Sequence, residues 1–353
     1  MTRRFECGAL AVATGLVTGL CAVALFNPLQ KVTAAPKAAL DLPPTKLETA
    51  ANGPAMPVTQ IFGKNQESTV LGLGGALSIR ALNNRHTAST KHTSVGLSET
   101  FERLGYDLGS IKSGASDVPR LFVASLPQDL GHVREPAKRK ALFVRTVLPL
   151  ILQANEEILA NRRRLIELRR RLSEDERLDP VDRLWLIVMA EQYRVKRGEI
   201  TALLERVDIV PPSIALAQAA EESGWGTSRF VREGNAIFGE WTFTRSGSLM
   251  PARRDQDKAH RIKAFDSLLD SVRTYALNLN THRAYRKFRT TRLGLRQQGA
   301  SMDGIKLIDG LRSYSERGKN YVKSLRSIIA VNEFRHLDDA RLSDSALSGR
   351  PLI

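Results

Sequence analysis

The amino-acid sequence predicts an α+β protein, a mainly helical body carrying a small β-hairpin lobe. Three observations predict it. Apolar residues recur at helical spacing from Leu142 to Leu172. A short run opening with Pro211-Pro212-Ser213 is apolar on nearly every face and stops at Gly224, the pattern of a buried helix. Beyond it, Glu240-Trp241-Thr242-Phe243-Thr244 and His260-Arg261-Ile262-Lys263-Ala264-Phe265 show strand-like alternation around a loop with Gly247 and Pro251. With 353 residues and 42% apolar composition, the chain can build one good-sized core plus accessory sequence, or two small domains.

At the N-terminus, Arg3 and Arg4 precede an uncharged stretch from Cys7 to Phe26, bounded by Asn27-Pro28. A run apolar on every face is a secretory signal or a single membrane anchor rather than a soluble helix. The leading arginines orient the bulk of the chain outside the cytoplasm. Val32-Thr33-Ala34 supplies small residues for cleavage, whereas the length of the run suits an anchor. Residues 1–34 are therefore expected to be one or the other, placing the protein in the periplasm or on the periplasmic face of the inner membrane. Residues 35–117 are rich in Ala, Ser, Thr, Gly and Pro without sustained periodicity, and read as a flexible linker. Gly72-Leu73-Gly74-Gly75 within it lacks the Lys-Ser/Thr ending of a phosphate-binding loop.

Order is expected from Val118. Leu142, Phe143, Val147, Leu148, Ile151, Ala154, Ile158, Leu165 and Leu172 mark a helical segment that Pro149 should kink or interrupt. Its basic face, Arg162-Arg163-Arg164 and Arg169-Arg170-Arg171, reads as solvated surface. A second helix should run from Leu178 to Arg197, opened by Asp179-Pro180 and closed by Gly198, with a third over Glu199 to Val207.

The run 211–226 carries the chemistry. From Ile214 to Ala220 every side chain is apolar except Gln218, and then Glu221 and Glu222 follow at the C-terminal end. A carboxylate there meets the negative end of the helix dipole, and burial adds a desolvation cost. Both raise its pKa, which is what a general acid requires near neutral pH. Successive helical residues point about 100° apart, so one glutamate faces a cleft and the other solvent or a basic partner.

Ala217-Gln218-Ala219-Ala220-Glu221-Glu222-Ser223-Gly224-Trp225-Gly226 resembles the signature of bacterial peptidoglycan glucosaminidases, and Asn235-Ala236-Ile237-Phe238-Gly239 resembles the family block that lines the sugar cleft. Asn278-Leu279-Asn280-Thr281-His282-Arg283-Ala284-Tyr285 and Tyr314-Ser315-Glu316-Arg317-Gly318-Lys319-Asn320-Tyr321-Val322 are similar to the bacterial Bax branch, unrelated to the apoptosis regulator. The resemblance covers roughly residues 118–335, leaving 336–353 as a tail. It implies a lysozyme-like fold with the β-lobe over a substrate groove. It also implies hydrolysis of GlcNAc glycosidic bonds in peptidoglycan or a related glycan, with Glu222 as general acid. Asp266 should cap the helix that follows the β-lobe, with Leu268, Leu269, Val272, Tyr275, Ala276 and Leu279 on its inner side.

Two carboxyl groups flank the scissile bond in the standard glycosidase scheme, and substrate-assisted catalysis needs only one. The local candidates for the second are Glu240, Asp255 and Asp257, with Glu240 first because it enters the first strand. Tyr321 matches the family tyrosine that approaches the cleft and could orient the acetamido group, and Tyr314 is a further candidate. Trp225 and Phe238 are candidates for sugar stacking, Trp225 alternatively for a fold residue behind the acid; Asn235 and Gly239 belong to the cleft block. The chain departs from the commonest family pattern at Ala236-Ile237 and Glu240-Trp241. Its six histidines show no metal-ligand spacing, and its two cysteines, Cys7 and Cys21, both lie in the N-terminal run. No metal and no cofactor is expected. The net charge of +16 suits an anionic wall polymer or membrane. Nucleic acid is set aside because no recognition module accompanies the charge. The competing readings are a lytic transglycosylase and a wall-binding or morphogenesis protein with reduced turnover.

Overall fold

The computed structural model describes residues 93–242, 248–249 and 261–344, all within one compact unit. Two short helices come first, α1 (Ser94–Arg103) and α2 (Leu108–Lys112), capped by the side chains of Thr93 and Asp107. They bury Leu97, Phe101, Tyr106 and Ile111 in the common core. The linker expected over residues 35–117 is thus corrected from residue 93 onward. Leu97 and Phe101 lie one helical turn apart and drive the docking, a pattern too short to register as sustained periodicity.

The longest element, α3 (Pro136–Ser173), begins with proline at its first turn. Pro149 lies inside α3 and does not interrupt it. The surrounding stretch Leu142–Leu152 is almost wholly buried, so tertiary packing outweighs the proline penalty. The basic C-terminal half is largely engaged in ion pairs: Arg164 and Arg171 with Asp182, Arg170 with Glu167. Next come α4 (Pro180–Gln192), shorter than expected, and α5 (Ile200–Arg206).

The segment from α5 into α6 (Pro212–Ser223) is fastened on several sides. Asn155 exchanges two hydrogen bonds with the backbone of Val210, at 2.8 and 3.1 Å. Arg292, fully buried, donates to the carbonyls of Glu205, Arg206, Asp208 and Ile209, satisfying acceptors at the end of α5. Asp208 takes a bidentate pair from Arg296 at 2.8 and 3.0 Å. At the N-terminus of α6, where Pro211 offers no side-chain cap, Asp338 accepts from Ser213 N at 2.8 Å and Ser213 Oγ at 2.9 Å. Every residue of α6 from Pro212 to Ala220 is buried, against α3, α11 (Lys319–Val331) and the turn Phe334–Leu337.

After α7 (Arg229–Gly234) comes a three-stranded antiparallel sheet, β1 (Trp241–Thr242), β2 (Ser248–Leu249) and β3 (Arg261–Lys263), in the order β1-β3-β2. The sequence suggested one hairpin; β2 is an addition, too short to show alternation. Both Trp241 and Leu249 lie opposite the buried Ile262. Ser267, rather than Asp266, caps α8 (Leu268–Thr281) by accepting from Asp270 N. The chain closes with α9 (Arg286–Gln297), α10 (Gly304–Leu307), a 3-10 turn over Ile308–Tyr314, and α11. Beyond residue 335 it remains part of the body: Leu337 and Leu342 are buried, and Leu342 forms a parallel bridge with Val118. The tail boundary is corrected accordingly, at least to residue 344. Among the described residues no helix is long and apolar enough to cross a membrane, and the apolar run at residues 7–26 lies outside them.

Candidate active site

The C-terminal end of α6 presents the two glutamates in different directions. Glu221 pairs with Arg317, which also donates to Ser324 Oγ at 2.7 Å. Glu222 turns inward, and its Oε1 accepts from the hydroxyl of Tyr321 at 2.8 Å. Burial is the largest influence on the Glu222 carboxyl and pushes it up to about 7; Glu221 adds to this, while the Tyr321 bond and Arg317 act against it. An acid in this state is still half protonated at neutral pH.

The helix ends sharply because Gly224 is left-handed, with φ of 58°. Ser223 Oγ accepts from Gly226 N at 2.8 Å and so folds the Gly-Trp-Gly turn back on the helix. Gly226 has φ of 79°, and a Cβ there would come within 2.6 Å of Leu126. These constraints explain why the signature needs small residues around Trp225. Trp225 itself packs on Phe143 and Phe334, with Lys140 Nζ 4.7 Å from its ring centroid. These contacts fit the reading of Trp225 as a packing residue behind the acid, and its ring stays half-buried.

The block Asn235–Gly239 passes beside the acid. Gly239, at φ of 62°, lies so close that a Cβ on it would be 3.8 Å from Glu222 Oε2. Asn235 adopts the left-handed conformation at the end of α7 and donates its amide to the carbonyls of Phe265 and Asp266, at 3.1 and 3.4 Å. It ties the block to the end of β3. Phe238 is 2% exposed and stacks on Tyr275 at 3.8 Å, so its ring is unavailable to a sugar. Its carbonyl accepts from Tyr314 Oη at 3.2 Å. Tyr314 in turn stacks parallel to Tyr321, with centroids 5.7 Å apart.

Glu240, the first candidate for the second carboxylate, directly precedes β1. Both its carboxyl oxygens are buried with no hydrogen-bond partner among the described residues. Burial pushes it up to about 8, against the nearby Lys263. Burial thus favours the protonated form of this carboxyl, whereas a base or nucleophile acts in the ionised form. Asp255 and Asp257 lie outside the described residues.

Sequence reasoning passed over two residues that the structure brings into the site. Gln218, 0% exposed, donates from Nε2 to Tyr321 Oη at 2.9 Å and accepts at Oε1 from Tyr275 Oη at 2.7 Å. Its signal was present: the one polar side chain in an apolar helix, four residues before the acid and thus on its face. Tyr275 read as core, which it is, and its hydroxyl gave no sequence signal. The result is a hydrogen-bonded row running Tyr275, Gln218, Tyr321, Glu222.

The glucosaminidase family model, described as mannosyl-glycoprotein endo-beta-N-acetylglucosaminidase, matches residues 199–334. Protein bax of Escherichia coli (strain K12) is 36% identical over 216 residues, covering 60% of this chain and 75% of that protein. The chain belongs to the bacterial Bax glucosaminidase family. Its matched span runs from α5 to the turn after α11 and includes Gln218, Glu222, Gly239, Tyr275 and Tyr321. The body is mainly helical and carries a small β-lobe, as the resemblance implied, and the glucosaminidases are glycoside hydrolases. The catalytic domain of the autolysin Auto from Listeria monocytogenes is 18% identical, with a TM-score of 0.30 over 49% of this chain and 96% of that one.

Proposed function

We propose that this chain hydrolyses GlcNAc glycosidic bonds in peptidoglycan as an endo-β-N-acetylglucosaminidase, with Glu222 as general acid. The observation that carries this is the state of Glu222: a carboxyl raised to about 7, held by Tyr321 and bordered by Gly239. Such a group delivers its proton to the leaving glycosidic oxygen and is left as a carboxylate. Family membership supports the glycosidase class, and the net charge of +16 suits an anionic wall polymer. The proposed setting is the periplasm, free or held at the inner membrane through residues 1–34. The test is digestion of purified wall with the protein and mass analysis of the fragments. New reducing-end GlcNAc is expected, and its absence with wild-type protein would refute the assignment.

The burial of Glu240, which favours its protonated form, supports a completion of the reaction that needs one protein acid. In substrate assistance, the N-acetyl oxygen attacks the anomeric carbon while Glu222 protonates the leaving oxygen, and water then opens the ring so formed. A lytic transglycosylase also works with one acid, and anhydro-muramic ends in the same digest would identify it. Protein that sediments with wall and releases no sugar would instead be a binding or morphogenesis protein.

A further inference from the structure

We infer that Gln218 and Tyr275 are positioning residues that act through Tyr321 to fix which oxygen of Glu222 carries the acid proton, assigning it to Oε2, beside Gly239. The inference rests on the general-acid reading of Glu222 and deepens it.

The direction of the row follows from counting donors. Tyr275 O–H donates to Gln218 Oε1, Gln218 Nε2 donates to Tyr321 Oη, and Tyr321 O–H donates to Glu222 Oε1. Every hydroxyl proton in the row is used. Turning the Gln218 amide over would aim Nε2 at Tyr275 Oη. The Tyr275 proton would then have no acceptor among the described residues, in a side chain only 1% exposed. Buried donors are rarely left so, and the amide is locked in the first orientation. With Nε2–H occupying a lone pair of Tyr321 Oη, that hydroxyl turns its own proton to Glu222.

Glu222 Oε1 is therefore the accepting oxygen in both charge states. When the carboxyl is protonated the hydrogen sits on Oε2, the oxygen that a Cβ on Gly239 would approach to 3.8 Å. In the chemical step the Oε2 proton passes to the leaving oxygen as the glycosidic C–O bond breaks, and the bonding pair stays with that oxygen. The carboxylate formed keeps the Tyr321 bond. Without the row, the proton is free to sit on Oε1 and be donated to Tyr321, away from the bond to be cut.

Replacing Gln218 with Met preserves bulk and removes the amide. The readout is a carbon-13 carboxyl titration of Glu222 by NMR in the full chain, which needs no turnover. The other groups bearing on Glu222 are Glu221, Arg317, Tyr275, Tyr285 and Tyr314, and none is altered in Gln218→Met or Tyr321→Phe. Loss of the directed Tyr321 bond weakens stabilisation of the charged form, so the midpoint should rise in Gln218→Met and in Tyr321→Phe. The double variant should rise no further than the singles. On wall substrate, kcat of Gln218→Met should fall about tenfold with KM unchanged. An unmoved midpoint in Gln218→Met, or additive shifts in the double variant, would overturn the inference. Should Gln218→Met not fold, Tyr275→Phe decides: a raised midpoint supports the row and an unchanged one refutes it. Wild-type protein that releases no sugar would remove the glycosidase reading while the titration still judged the row.

Discussion

The hydroxyl of Tyr321 reaches Oε1 of Glu222 at 2.8 Å across 99 residues of sequence. This bond stabilises the carboxylate, while burial at the end of α6 stabilises the acid. Burial is the larger influence, and the balance leaves the group near 7. A general acid must lose and regain a proton on every turnover, and either influence alone would leave Glu222 worse matched to neutral pH. The surrounding fold serves that balance. Arg292, Asn155 and Asp338 fix where α6 starts, and the Gly224 turn fixes where it stops.

Glu222→Gln should abolish turnover, by roughly 10²–10⁴-fold, yet stabilise the protein at neutral and alkaline pH. Below the ordinary carboxyl value of 4.5 the group is neutral in both folded and unfolded chains. As pH rises from there to about 7, the unfolded chain ionises and the folded one resists, so stability is lost across that window. Glutamine escapes the loss, which amounts to roughly 3 kcal/mol. Urea denaturation at pH 8 should find the variant more stable than wild type, with the difference shrinking toward pH 4.5.

The pH dependence of kcat/KM should show an alkaline limb near the Glu222 value of about 7, because activity needs the protonated form. Glu221 raises Glu222 and Arg317 lowers it. Glu221→Gln removes the first influence and releases Arg317 from its ion pair. Both changes act in one direction, so the limb should move to lower pH. A limb that stays in place or moves upward would show that the neighbouring charges do not tune the acid.

How far the sequence revealed this site depends on what kind of pattern each residue leaves. Glu222, Gly239 and Tyr321 stand in local motifs, and the buried character of α6 is plain from its composition. That the two glutamates point apart follows from helical geometry, and the motif singles out Glu222 as the inward one. The roles of Trp225, Phe238 and Asn235 were legible only as membership of a motif. In the structure each makes packing or hydrogen-bond contacts within the fold, and an aromatic ring or an amide looks the same in sequence whether it meets a sugar or a neighbour. Tyr275 joins the site through a contact made 57 residues from Gln218, and no local periodicity encodes such a contact. Residues 93–117 looked like linker because their two helices are held by four scattered apolar side chains.

Glu240 offers a direct test of the second-carboxylate role. Its carboxyl is buried, unpartnered among the described residues and raised to about 8. Glu240→Gln preserves shape and removes a charge that the folded state disfavours. We expect most of the wild-type kcat to survive. Stability should be unchanged below the ordinary value of 4.5 and higher than wild type above about 8, since the folded carboxyl pays its ionisation cost across that interval. A loss of kcat beyond about a hundredfold, with thermal stability intact, would show that Glu240 acts in the reaction despite its burial.

Truncation after Arg335 should destabilise the domain although it removes nothing from the site. Leu337 is 0% and Leu342 4% exposed, and burying each contributes roughly 1.5–3 kcal/mol. Asp338 is lost with them, and with it the acceptors for Ser213 N, Ser213 Oγ and Gly304 N. Leaving a helix start uncapped costs about another 1 kcal/mol. Together these approach the whole stability of an ordinary domain, about 5–15 kcal/mol, so the truncated protein should unfold at a much lower urea concentration or fail to accumulate. Asp338→Ala isolates the capping share. It should cost about 1–2 kcal/mol and leave the Glu222 limb where it was, because the cap sits at the opposite end of α6 from the acid. A truncation with wild-type stability would mean that the segment after Arg335 rests on the body without holding it.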